Sequence, residues 1–313
     1  MGGIHFAVEY ATVAVLDIRG KVLGATKLLH DGASSEVIVN RSTEALDAIL
    51  ATHAGRRPLL GVGVASGGWV DRSSGTIVEH GMLGWRQVSV AEPFQRRFGV
   101  PVVADSHARS LIRAEQLFGD PRSRASTLAL FVGNVVEAAF AMGEQVNYGP
   151  RSRAGAVAHL PVVLGGQACG CGRSGCLEAT VSDRRLVRRA AEVGIPTRRY
   201  IDDVVAAAVA GNAVARELFR ERAEVVGRAI APIVDLLSPE LVLIVDPGVA
   251  YLPECLAALQ EHLAANSVMI GDPAQTVVVS SFSDTVLETA GGAAVLDALY
   301  TNPGAVVPVS SAS

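Results

Sequence analysis

Apolar positions in IHFAVEYATVAVLDIRGKVLGATKLL fall in β-branched, partly alternating runs, which predicts two strands joined by a turn at Arg19-Gly20. In SSEVIVNRSTEALDAILATHAG the spacing changes to that of a helix, with Gly55 as its stop. LLGVGVASGGWVDRSSGTIVEHG then reads as a buried strand, a glycine-rich bend and an extended pair around Ser73-Ser74-Gly75. A short helix (VAEPFQRRFG), a strand (VPVVADS) and a helix closed at Gly119 (HARSLIRAEQLFG) complete this part of the chain. Alternation of strand and helix favours a sheet covered by helices.

A second unit is expected after DPRSRAS, where LALFVGNVVEAAFAMGEQVNYG reads as a hairpin pair. Three helical stretches follow: ATVSDRRLVRRAAEVG, DVVAAAVAGNAVARELFRERAEVVGRAIAPIVDLL and CLAALQEHLAA, with the strand LVLIVDP between the last two. ETAGGAAVLDALY is the closing helix. The expected organisation is an α/β lobe over 1–119 with a returning helix at about 287–301, and a second α/β lobe over 120–286. The second lobe would carry a metal loop at 159–178, and the tail 302–313 is expected to be disordered.

Composition narrows the function classes. At 313 residues the chain exceeds what one core usually holds, and its 50% hydrophobic content suits a buried α/β interior. A net charge of −4 argues against nucleic-acid binding through a broad basic face, so DNA binding by this chain alone is not expected. MGGIHFAVEY lacks the basic start and long apolar run of a signal peptide. No run reaches the roughly 18 apolar residues of a membrane span, so a cytoplasmic location is expected.

Candidate chemistry concentrates in AHLPVVLGGQACGCGRSGCLEA. This segment holds three of the four cysteines, Cys169, Cys171 and Cys176, with His159 ten positions upstream of the first. Three thiolates and one imidazole make a closed tetrahedral set suited to structural zinc, with no position left for a reactive water. Gly170, Gly172 and Gly175 are expected to let the loop turn tightly enough to aim the sulfurs at one point. Cys169 and Cys171 are too close in sequence for an easy disulfide, and a Cys-X-X-Cys redox pair is absent. Cys255 reads as a small core residue.

The zinc block, preceded by GAVAHLPV and followed by LEA, resembles the ROK family of repressors, open reading frames and sugar kinases. GVGVASGGWVDRSSGTIVEHGMLGWRQVSVAEPFQRRFGVPVV, AEQLFG, LVLIVDPGVA and LETAGGAAVLDALY are similar to further family segments in the same order. The resemblance covers nearly the whole chain. It implies a two-lobed, actin-like ATPase fold (ribonuclease H-like) with sugar in a cleft and, in the kinases, ATP. It also implies a homodimer.

Set against the kinase pattern, the phosphoryl-transfer residues are missing. A sugar kinase needs a carboxylate to accept the proton of the attacking hydroxyl. The family supplies it from an Asn-Asp-Ala-Asn block eight residues before a helix glutamate, and eight before Glu115 is His107. Ser106 then stands for the sugar-fixing asparagine. Using Asp105 instead would insert two residues and rotate the helix by about 200°, moving Leu111, Ala114, Leu117 and Phe118 off their common face. The first phosphate turn, Asp-X-Gly-Gly-Thr in the kinases, reads Val8-Glu9-Tyr10-Ala11-Thr12. The second reads Gly133-Asn134-Val135-Val136-Glu137, and a Gly-Gly pair on the adenine side is Asp246-Pro247. Glu9 and Glu137 would repel phosphate.

On the sugar side, one family glutamate is Ala156 and the other survives as Glu178. Glu178 is either a sugar contact or a carboxylate that orders the metal loop. Gly67 and Gly68 stand where the family brings backbone near the sugar, and a tight turn explains them equally. Trp85 reads as core. The resulting expectation is a non-catalytic effector-sensing and oligomerisation domain, as in ROK transcriptional regulators. The chain is expected to start at the first strand of the fold, so the winged helix-turn-helix that such regulators carry upstream is not expected within these residues. The alternatives are an ATP-dependent, glucokinase-like sugar kinase, or a binding protein whose Ser106, His107, Arg109 and Glu178 line a cleft for another small molecule. In the latter, Arg109 would attract an anion.

Overall fold

The computed structural model describes residues 1–53, 58–198, 200–282 and 285–301. The expected disordered tail at 302–313 and the helix stop at Gly55 lie outside the described residues. The chain divides into two units, one made of Met1–Pro121, Tyr148–Ala154 and Asp284–Ser313 and the other of Arg122–Asn147 and Gly155–Ser283.

In the first unit the opening segment forms three strands rather than two: β1 (Gly2–Phe6), β2 (Tyr10–Leu16) and β3 (Val22–Leu29). The extra break is a tight turn closed by the Ala7 N–H donating to the Tyr10 carbonyl at 2.9 Å. The second turn is tied by Asp17, whose side chain accepts from the Arg19 and Lys21 N–H groups, while Gly20 adopts φ 77°. Helix α1 (Ser35–His53) follows, then β4 (Val62–Ser66), the small meander β5 (Trp69–Asp71), β6 (Thr76–His80) and β7 (Trp85–Ser89), and α2 (Ala91–Phe98). Strand β8 (Val102–Ser106) leads into α3 (His107–Phe118). The main sheet runs β3-β2-β1-β4-β8, antiparallel through β1 and parallel beyond it.

Strand period two sorts the faces of this sheet. Ile4 and Phe6 join the core with Ile38, Val39, Leu46 and Ile49 of α1. Gly3 and His5 point to the opposite face, where a Cβ on Gly3 would meet the Glu288 carbonyl at 2.8 Å and His5 meets His107 of α3. Small residues let the C-terminal helix Val286–Thr301 lie directly on this face. A Cβ on Gly63 would sit 1.8 Å from the Gly291 carbonyl oxygen. Because that obstacle is backbone, Gly63→Ala is expected to lower stability by about 3 kcal/mol through overpacking. An unchanged urea midpoint would refute this contact.

The second unit repeats the same sheet plan. Strands β9 (Ser126–Val132), β10 (Val136–Met142) and β11 (Gln145–Val146) form antiparallel pairs. Helices α4 (Leu177–Val181), α5 (Asp183–Glu192), α6 (Ile201–Val209) and α7 (Ala213–Leu237) precede β12 (Leu241–Val245). Helices α8 (Pro247–Tyr251), α9 (Pro253–Ala264) and α10 (Pro273–Thr276) lead to β13 (Val277–Val279). The order is β11-β10-β9-β12-β13, with β12 parallel to both neighbours. Its core gathers Leu128, Leu130, Phe219, Ile230, Ile244 and Leu259.

Two stretches expected as single helices are broken. Gly211 takes φ 94° and Asn212 caps α7 by accepting the Ala215 N–H at 3.0 Å, so the long stretch ends at Val209 and restarts at Ala213. Ser182, extended at ψ 154°, separates α4 from α5. Among the described residues no helix is long and apolar enough to cross a membrane.

Candidate metal centre and ligand site

His159, Cys169, Cys171 and Cys176 converge: their ligand atoms all lie within 4.8 Å of one another. His159 Nδ1 is 3.5 Å from Cys169 Sγ, and Cys171 Sγ is 3.7 Å from Cys176 Sγ. All four cysteines of the chain are free thiols. The backbone supplies the convergence. Cys169 N–H donates to the Arg173 carbonyl at 2.7 Å, Gly175 N–H to Gln167 at 2.8 Å, and Val162 N–H to Gly175 at 2.8 Å. Of the three glycines expected to turn the loop, Gly172 and Gly175 do so at φ 85° and 72°, whereas Gly170 does not take positive φ. A Cβ on Gly175 would meet the Val163 carbonyl oxygen at 1.7 Å. Cys255 is buried in α9, away from this set, as a core residue.

The thiols differ in acidity. The backbone N–H and then the guanidinium of Arg173 favour the Cys171 thiolate, which is pulled down to about 6. Burial, followed by the neighbouring sulfurs, pushes the Cys176 thiol up to about 11. Three sulfurs and an imidazole at this spacing fit a tetrahedral, thiolate-preferring cation, so these residues could hold a metal ion.

Cys176 caps α4, and Glu178 therefore stands in that helix's first turn. Its carboxylate accepts the Val136 N–H at 3.2 Å, where β10 leaves the β9–β10 turn. Burial raises its pKa, opposed by that hydrogen bond and by His159 and Arg184. The same turn is held at its other side. Asp183 N–H donates to the Gly133 carbonyl at 2.9 Å, and Arg184 N–H to the Asn134 side chain at 3.1 Å. Buried Arg222 bridges Asp183 and Asp246, a network that reading the sequence missed.

In the first unit, Ser106 ends β8 and caps α3, its hydroxyl accepting the Arg109 N–H at 3.4 Å. Asp105 beside it is fully engaged: Arg109 Nε and Ser106 N–H reach Oδ1, and Arg72 reaches Oδ2 at 2.9 Å. Arg109, expected as a ligand contact, is instead 3% exposed and committed internally. Besides Asp105 it donates to the carbonyls of Val70 and Ser152 at 3.2 Å and of Ala154 at 3.5 Å. It positions the 148–154 segment against β5, its donors taken up by acceptors of the first unit. Gly68 at φ 80° closes the β4–β5 turn, where a Cβ would meet the Glu79 carbonyl at 2.4 Å. The tight-turn reading is thus sufficient for it.

His107 is buried as well. Its ring stacks on His5 with centroids 4.3 Å apart, in a group that takes in His80 and, beside Trp85, His30. Burial, then His5 and His80, hold His107 well below the ordinary histidine range. Burial likewise lowers His5 to about 3 and His80 to about 4. At the first turn expected to approach phosphate, the chain is closed by its own side chains. His30 Nε2 lies 3.0 Å from the Ala7 carbonyl, and Lys27 stands 3.5 Å over the Tyr10 ring. Trp85 is core, edge-on to Phe6.

Comparison with known proteins agrees with this architecture. A ROK family model matches residues 1–297. The chain is 31% identical over 318 residues to the transcriptional regulator Rv0485 of Mycobacterium tuberculosis, spanning 96% of this chain and 70% of that one. A ROK family transcriptional regulator homologous to the E. coli MLC protein superposes with TM-score 0.79 at 20% identity, over 96% of this chain and 78% of its own. A ROK family glucokinase from Streptomyces griseus, in complex with glucose and AMPPNP, also gives TM-score 0.79, at 23% identity over 95% and 98%. At such identities the likeness of the two structures concerns the fold.

Proposed function

The chain belongs to the ROK family, and we propose that it is a non-catalytic member, an effector-sensing and oligomerising domain of the kind found in ROK transcriptional regulators. The observation that carries this reading is the state of the position where a sugar kinase keeps its base. A general base needs a pKa near ambient and a face toward the hydroxyl it deprotonates. His107 is 4% exposed, stacked on His5, and held neutral by burial. The adjacent carboxylate, Asp105, is neutralised by Arg72 and Arg109. The phosphate turns support the same reading, since each is closed by hydrogen bonds or side chains of its own unit.

Zinc is the proposed ion for His159, Cys169, Cys171 and Cys176, as a structural clasp. Ser106 and Gly68 in the first unit, and separately Glu178 in the second, are the proposed contacts for a sugar or another small-molecule effector. His159 would assist them through its ring edge, and Arg109 would act by positioning. The reading carries with it a cytoplasmic homodimer. The net charge of −4 argues against DNA binding by this chain alone.

A coupled ATP/hexose assay is expected to give no turnover above background, and His107→Asp is expected not to create any. Thermal-shift titration with sugars is expected to raise the melting temperature for at least one of them. Turnover that His107→Ala abolishes would overturn the reading.

A further inference from the structure

The four donors of the metal loop fall into two pairs with different surroundings. His159 Nδ1 and Cys169 Sγ lie 3.5 Å apart, and Cys171 Sγ and Cys176 Sγ lie 3.7 Å apart. Of the three loop thiols Cys171 is exposed, Cys169 half-buried and Cys176 buried. A small oxidant arriving from solvent therefore meets Cys171 first, with a second, shielded sulfur already beside it. The chain spacing suits this pair. One residue separates Cys169 from Cys171, too few for an easy bridge, whereas Gly172, Arg173, Ser174 and Gly175 lie between Cys171 and Cys176. Gly170 and Gly172, on either side of Cys171, have nothing within 4 Å of where a Cβ would stand. The exposed cysteine thus has room to close on its neighbour.

Cys176 is anchored where Cys171 is not. It pairs with Pro161 in an isolated β-bridge, and the next residue, Leu177, donates its N–H to the Leu160 carbonyl at 2.8 Å. Helix α4 begins there, and Glu178 in its first turn holds the Val136 N–H at 3.2 Å. An outer sulfur with room around it faces an inner sulfur tied to the interior of the second unit. Oxidation-sensing thiols are built in this way, one accessible and one placed to resolve it.

We propose that Cys171 and Cys176 are an oxidisable pair, which hydrogen peroxide converts to a disulfide with release of the metal. This rests on the zinc reading above. The Cys171 sulfur attacks one peroxide oxygen; the O–O bond breaks, leaving a sulfenic acid on Cys171 and a hydroxide that takes a proton. The Cys176 sulfur then attacks the Cys171 sulfur; the S–S bond forms, the S–O bond breaks, and a second hydroxide leaves and is protonated. Two thiolates, one peroxide and two solvent protons give one disulfide and two waters. The sulfurs close from 3.7 Å to about 2.05 Å and cease to be thiolate donors. His159 and Cys169 alone do not complete a tetrahedral set, so the ion leaves. Movement of Cys176 is passed to the start of α4 and to the Glu178–Val136 contact.

The test treats the zinc-loaded full chain with millimolar hydrogen peroxide beside a chromophoric zinc indicator. Zinc release is expected together with loss of both thiols, with no release from untreated chain and recovery of the thiols in dithiothreitol. Tryptic cleavage after Arg173 separates Cys171 from Cys176, so only a disulfide keeps the two peptides joined. Fragmentation of the joined species by mass spectrometry then tells a link at Cys171 from one at Cys169. Cys171→His keeps four donors without the exposed thiol and is expected to retain zinc in peroxide. A link through Cys169, Cys171 oxidised to the sulfinic acid with Cys176 still a thiol, or unchanged thiols would each overturn the proposal. So would a Cys171→His variant that loses zinc to peroxide as fast as the parent. Should that variant not fold, mapping of the unaltered chain decides. A chain that takes up no zinc would overturn the zinc reading, and the presence or absence of the Cys171–Cys176 link in it still decides the pair.

Discussion

Chelation of divalent metal, or Cys176→Ser, is expected to lower the melting temperature by more than about 10 °C, the largest single loss available to the second unit. A loop with few apolar contacts, carrying Leu164 fully exposed and Val163 half-exposed, cannot hold its shape through burial. Its fold is a ladder of backbone hydrogen bonds around four ligand atoms within 4.8 Å, so metal-binding free energy becomes folding free energy. Cys176 transmits the effect, since it is 1% exposed and stands immediately before the first residue of α4. Losing its position frees Glu178 from the Val136 N–H and loosens the β9–β10 turn. Metal analysis of the purified chain should give one zinc per chain, and Cys255→Ala should leave that stoichiometry unchanged. Identical melting curves with and without a strong chelator would defeat the prediction.

The metal loop was legible in the sequence because its signal is local and chemical: thiolates and an imidazole within eighteen residues have few other uses. The sheets were legible from apolar runs, although the first expected strand is split by a turn at Ala7–Glu9 that carries neither glycine nor proline to announce it. The break before α7 had a readable sign, Gly211-Asn212, a left-handed stop followed by a helix cap. Arg109, expected as a ligand contact, is engaged with partners of its own unit. Its four-residue spacing from Asp105 on the β8–α3 junction was the available sign of an internal ion pair.

What no local pattern could reveal are groups assembled from distant elements. Arg222 meets partners 39 and 24 residues away, and each aspartate alone looks like an ordinary helix-start residue. His5, His30, His80 and His107 come from four separate places in the chain, and only the fold makes them neighbours. His107 and Asp246 are the members of these assemblies that stand where the resemblance to the kinases suggested a loss, and both are part of a packed interior, so a single substitution at either is not expected to create sugar phosphorylation.

Lowering the pH from 7 to 5 is expected to destabilise the first unit by about 4 kcal/mol from His5 and His80 alone. The sign follows from depressed pKa values. The unfolded chain protonates these rings near the ordinary value of 6.5, whereas the folded chain keeps His5 neutral down to about 3 and His80 down to about 4. Stability is therefore full above about 6.5 and falls as pH drops through that value, by about 1.4 kcal/mol per unit for each ring. His107 adds to the loss in the same direction, because burial and then His5 and His80 disfavour its charged form. His30 adds to it too, opposed by the Ala7 carbonyl and Asp31. Among the described residues both His5 nitrogens are buried without a hydrogen-bond partner, so none of these residues offers an acceptor to stabilise the charged ring. Thermal melts should drop by roughly 10 °C between the two pH values. Acid also releases thiolate-bound metal, and His5→Phe separates the two effects. It leaves the metal loop intact, and its melting temperature should depend less steeply on pH, retaining about 2 kcal/mol more than the parent at pH 5. A parent chain equally stable at both pH values, or a His5→Phe variant with the parent's slope, would remove the histidine group as the cause.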